Sequence, residues 1–173
     1  MQQALNFRDQ LFINLRHYPF NDHSTHGYRW IDLKRFELLS PSCDDTLLLD
    51  ALIKHDQFRD DYAGGGVDPL GTRHGPYWLS NITTDAYEPV DEMTAIDVLR
   101  SWASQYGGLP RQVEEVLNHE VYALIRAATS RYRLKGLGRS EFHDWGGVHT
   151  EFHELIVVDR ASRNLTLIIA ADD

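Results

Sequence analysis

The chain has 173 residues, 42% of them hydrophobic, near the usual size of one domain and long enough to bury roughly 70% of its unfolded surface. Seventeen Lys and Arg against 26 Asp and Glu give a formal charge of −9, so nothing globally attracts a phosphate backbone or an anionic membrane. No stretch approaches the roughly 20 apolar residues that span a bilayer, and Cys43, the only cysteine, permits neither an internal disulfide nor a thiolate cluster. These features describe an acidic, soluble, cytoplasmic protein of one domain, 1–173, with no nucleic-acid or membrane partner.

Residues 3–16 place Leu5, Leu11, Phe12 and Leu15 roughly on one side at helical spacing, ending before Tyr18-Pro19, which predicts an amphipathic first helix. Over 27–39 Tyr28, Trp30, Phe36 and Leu38 suit a strand, while Trp30, Leu33 and Glu37 fit a helix; the strand is the preferred reading. Ser42 or Asp44 caps a helix through about Tyr62, with Leu48, Leu49, Leu52 and Ile53 inward and Gly64–Gly66 stopping it. From Gly64 to Pro76 the chain holds five glycines and two prolines, the composition of a loop; 77–83 reads as a short strand.

Asp91 or Thr94 begins a helix carrying Ile96, Leu99 and Trp102, closed by Gly107-Gly108, and Pro110 fits the first turn of the next. That second helix, through about Ser130, repeats apolar residues at spacings of three and four from Val113 to Ile125. The period then changes: 131–137, 148–158 and 165–170 read as strands, with Asp159 to Asn164 as the turn of a hairpin. The expected fold is therefore α+β, an antiparallel sheet completed by a C-terminal hairpin, with helices from the first two-thirds packed on one face.

Nine histidines direct attention to possible chemistry, and the densest segment runs from His143 to Glu154. In an extended strand His149, Glu151 and His153 project to one face, and two imidazoles with a carboxylate are ligand types for a divalent ion such as Zn. Three such positions on a straight strand span roughly 13 Å, so one ion needs a bulge or a ligand from elsewhere, His143 or His119. Without metal, Asp144 or Glu151 could orient a histidine for proton transfer, with His143 and Asp144 as the catalytic candidates. His17, His23 and His26 flank a turn at Asn21-Asp22. His55-Asp56 resembles the histidine–aspartate doublet of metal phosphohydrolases over two residues only; that superfamily is helical, and no residue is carried over. Gly64–Gly66 lacks the Lys-Ser or Lys-Thr of a phosphate-binding loop.

Two function classes follow. One is a binding or regulatory module whose acidic surface meets a protein partner. The other is a small enzyme built on the histidine–carboxylate strand, with a pocket over that strand bordered by 64–76.

Overall fold

The computed structural model describes residues 3–18, 28–105 and 107–173. The His23 and His26 turn lies outside them. Among the described residues eight strands form: β1 (Leu5–Asn14), β2 (Arg29–Leu38), β3 (Arg73–His74), β4 (Tyr77–Trp78), β5 (Tyr87–Pro89), β6 (Ser130–Leu134), β7 (Glu151–Asp159) and β8 (Asn164–Asp172). Six of them make one antiparallel sheet in the order β1-β2-β8-β7-β6-β5, and β3 and β4 make a separate small hairpin. The hairpins β1-β2 and β7-β8 join edge to edge through β2 and β8, so the C-terminal hairpin lies inside the sheet.

The helices are α1 (Asp45–Lys54), α2 (Glu92–Ser104), α3 (Arg111–Val116) and α4 (Ala123–Ala127), with a π-helical stretch, Leu117–Tyr122, joining the last two. Asp44 caps α1 and Asp91 caps α2, each accepting from a backbone N–H three residues on, as a short acidic side chain does at a helix start. α1 stops at Lys54, well short of Tyr62. His55 follows in extended conformation, and its Nδ1 accepts from the Gln57 N–H.

The expectation that the helices share one face is corrected. Ile31 and Leu33 of β2, Leu155 and Val157 of β7, and Ile168 of β8 meet α2, α3 and α4, whereas Phe36, Leu38, Ile156, Leu165 and Leu167 meet α1 and the segment from Phe58 to Tyr87. Both faces of the central strands are thus covered, and β8 is apolar on both. Arg29 is buried on the α2 side and donates to the carbonyls of Trp102 and Ala103 at the end of that helix, where a cation opposes the negative pole.

The first element is a strand, not a helix. Its pairing with β2 shifts register between Phe7 and Asp9, leaving Arg8 as the extra residue of a β-bulge. Leu5 and Phe7 therefore join the α1 face, while Leu11 and Ile13 join the other. The bulge also brings Gln10, Phe12 and Asn14 onto the α1 face, opposite Lys34, Asp32 and Trp30.

The stretch from Asp56 to Trp78 crosses that same face and is folded back on itself. Asp60 bridges Val67, the Gly75 N–H donates to the Asp60 carbonyl, and Arg59 donates to the Gly71 carbonyl. Gly75 has a positive φ of 51° and lies so close to the sheet that a Cβ there would come within 2.3 Å of the Phe152 ring. Among the described residues no helix is long and apolar enough to cross a membrane.

Candidate functional site

The α1 face is apolar where α1 covers it and polar where the crossing segment does. Lys34 is fully buried; its Nζ donates to Asp60 Oδ2 and to the Gln57 carbonyl, both at 2.9 Å. His74 is also fully buried, stacked on Phe58 with ring centroids 3.5 Å apart. Its Nδ1 lies 2.6 Å from the Phe58 carbonyl and its Nε2 2.5 Å from Glu154 Oε2, while the Tyr87 hydroxyl donates to Glu154 Oε1 at 2.5 Å. Burial pushes the Tyr87 phenol well above its ordinary range, and the adjoining Glu154 carboxylate adds to the effect. Satisfied buried pairs of this kind fix how the crossing segment seats on the sheet.

Beside this network the face opens into a cavity of about 410 Å³. Gln10, Phe12 and Asn14 of β1 and Trp30 and Asp32 of β2 supply one side; Asp60, Tyr62, Gly64 and Gly66 supply another; Tyr28, Arg16 and Asp173 border it. The aromatic rings touch one another: Trp30 stacks on Tyr62 at 5.6 Å between centroids and meets Phe12 at 5.5 Å. Tyr62 holds a left-handed backbone, φ 56°, uncommon for a residue with a side chain, and its hydroxyl is buried without a hydrogen-bond partner among the described residues.

Asp32 is 1% exposed and lines this cavity. Its Oδ1 accepts from Gln10 Nε2 at 2.6 Å, but Oδ2 is buried with no partner among the described residues. Desolvation raises its pKa, with the Asp60 charge adding to the rise, against the lowering effects of the Gln10 bond and of Lys34. A buried carboxyl oxygen left without a donor costs free energy, and functional sites carry such costs more often than idle cores do.

The predicted residues are placed as follows. His149 precedes β7 and turns toward Trp30 and Phe152 on the α1 face. Its Nδ1 is 2.9 Å from Asp173 Oδ1 and its Nε2 2.8 Å from the Asp61 carbonyl. Both partners are acceptors when Asp173 is ionised, an arrangement that favours the doubly protonated ring. Burial alone would lower its pKa, but the Asp173 and Asp61 bonds outweigh burial and raise it. The ring clasps the crossing segment to the C-terminal end of the chain.

Glu151 and His153 belong to β7 proper and share the other face with Leu155 and Val157. They form a pair at 3.5 Å, beside Arg133, Asp97, Ser101 and Trp102, along a cavity of about 460 Å³. Among the described residues no group of three His, Cys, Asp or Glu is arranged to hold a metal ion, so His149, Glu151 and His153 are not brought to one point. His143 is buried; its Nε2 lies 2.6 Å from the Gly75 carbonyl and its Nδ1 accepts from the Trp145 N–H. Asp144 is exposed and is not among the groups bonded to that ring. His119 stands exposed on the π-helical stretch, along a separate groove between β1 and α3.

Asp32 and Lys34 were not singled out in the sequence. The available signal was two opposite charges at alternate positions on the face of β2 that also carries Trp30 and Phe36. No family model matches the chain, and no curated protein or solved structure is significantly similar to it.

Proposed function

We propose that the protein binds a small organic molecule in the cavity floored by Asp32. A buried carboxyl oxygen with no partner among the described residues, on a side chain that lines a cavity with stacked aromatic rings in its wall, carries this reading. Ligand sites are typically concavities of roughly 300–1,000 Å³ with aromatic walls and a few convergent polar groups, and this cavity has that composition. It makes the binding class more specific than net charge does, because an acidic surface suits a basic protein partner and an idle face equally. The test is a fragment screen by ligand-observed NMR, repeated on Phe12→Ala and on Tyr28→Ala. Phe12 and Tyr28 are 53% and 54% exposed on the cavity wall, so their loss leaves the core intact, and Tyr28, unlike Phe12, does not also line the groove between β1 and α3. Hits that disappear in both variants are expected; hits that all survive Tyr28→Ala would overturn the reading.

A second reading is favoured by one observation on the opposite face. The Glu151–His153 pair lines the same cavity as Trp102, and the Trp102 indole N–H and Glu151 Oε2 are both buried without a hydrogen-bond partner among the described residues. An imidazole 3.5 Å from a carboxylate, in a cavity with an unsatisfied donor, has the parts of a metal-free acid–base site, with His153 transferring the proton and Glu151 as the adjoining charge. Burial lowers the His153 pKa and Arg133 adds to that, against the raising effect of Glu151, which favours the neutral, proton-accepting form. A hydrolytic activity found against ester or phosphoester substrates that vanishes in His153→Gln and persists in Asp32→Asn would select this reading; persistence in His153→Gln would discard it.

A further inference from the structure

We infer that the ligand of the Asp32 cavity is a small organic cation carrying an ammonium, amidinium or guanidinium group. This rests on the binding reading above and names its chemical class. Besides Asp32 and the tyrosines Tyr28 and Tyr62, four ionisable side chains border or face the cavity: Arg16, Asp60, Asp173 and, beneath it, Lys34. Asp60 is bonded to Lys34 and Asp173 to His149, while Arg16 is exposed to water and lies over the Tyr28 ring at 4.4 Å. Asp32 is hydrogen-bonded only to the neutral amide of Gln10; the Lys34 charge acts on it through space while bonded to Asp60, and Oδ2 has no donor among the described residues. The buried group of the cavity that lacks a bonded counter-charge is therefore an anion, and the partner that balances it is a positively charged donor.

The walls agree with that sign. Electron-rich ring faces attract cations, and two of the four rings already carry one: Arg16 over Tyr28, and Lys34 Nζ over Tyr62 at 4.8 Å. Phe12 and Tyr28 are 53% and 54% exposed, so aromatic surface at the mouth is open to an incoming ligand. A neutral donor could bond the same carboxyl oxygen, as Gln10 does, but would leave its charge unbalanced. A cation bound against Asp32 also stabilises the ionised carboxylate that burial disfavours, so binding from the protonated form releases a proton. Gln10, Lys34, Asp60 and Tyr62 are the other groups facing Asp32, and none of their bonds needs to break.

The experiment is calorimetric titration with two matched pairs, benzamidine against benzamide and choline against 3,3-dimethylbutan-1-ol, on the wild type and on Asp32→Asn. The expected result is that at least one cation binds more tightly than its neutral partner by about tenfold or more, and that the preference disappears in Asp32→Asn. Equal binding of cation and neutral partner would overturn the inference while leaving the binding reading intact. Failure of both members of both pairs, with fragment hits still lost in Phe12→Ala and Tyr28→Ala, would likewise overturn the cation class alone; failure of everything would remove both. Thermal unfolding of Asp32→Asn separates lost affinity from lost fold, since a folded variant that keeps the preference also overturns the inference.

Discussion

Asp32 is held at a cost, and the sign of that cost can be measured. Its folded-state pKa is raised above the ordinary 3.8, chiefly by desolvation, so the native state binds the proton more tightly than the unfolded chain does. The associated stability is complete below about pH 3.8 and is lost as pH rises through the raised value. Asn in the same shape has no charge to bury. Asp32→Asn is expected to be more stable than the wild type at neutral pH, with the gap closing toward pH 3, in urea unfolding across that range. A variant less stable at pH 7 would mean that the ionised carboxylate is compensated in the folded protein.

Two of the buried histidines, His149 and His74, make a different prediction. His149 has a raised pKa because its bonds to Asp173 and Asp61 outweigh burial, so its contribution is complete below the usual value of 6.5 and is lost as pH rises through the raised one. In His149→Gln this alkaline loss of stability should flatten, which a series of thermal melts from pH 6 to 9 would reveal. For His74 the issue is partnership: the ring and Glu154 are both fully buried, and removing one leaves the other unmatched. His74→Ala should cost on the order of 3–5 kcal/mol in denaturant unfolding.

At the scale of elements, much of the fold was legible because apolar periodicity is strong in α2, α3, α4, β6, β7 and β8. β1 was misread for a physical reason. Leu5, Phe7, Leu11, Ile13 and Leu15 alternate as a strand requires, but Leu11, Phe12 and Leu15 also fit helical spacing, and the bulge at Arg8 sends the two halves of this one set to opposite faces. The same bulge places Phe12 and Gln10 beside Asp32, so the misread element is also the one that builds the cavity. The histidine-rich segment was divided because β7 begins at Glu151: His149 lies before the regular strand and turns to one face, and His153 within it turns to the other. Gly75 tests the seating of the crossing segment. With φ 51° and the Phe152 ring 2.3 Å from the added Cβ, Gly75→Ala should destabilise by roughly 2 kcal/mol, and Phe152→Leu in the same chain should recover part of it.

Across the whole molecule, a sheet covered on both faces leaves its polar side chains inside rather than in water. The α1 face meets a helix shorter than the sheet is long, and the remaining area is roofed by an irregular segment from Asp56 to Trp78, whose path no hydrophobic period announces. Polar residues of β2 and β7 that pattern reasoning assigns to a solvated face are thereby buried: Asp32, Lys34 and Glu154. The site depends on that roof, and so it was not legible from strand patterns alone. The most direct measurement is an NMR titration of the indole N–H signals of the four tryptophans, Trp30, Trp78, Trp102 and Trp145, with benzamidine and, separately, with choline, each at millimolar concentration, read for whichever of the two binds. Binding in the Asp32 cavity predicts a saturable shift of Trp30 with the other three little changed; a saturable shift of Trp102 alone, or none at Trp30, would contradict it.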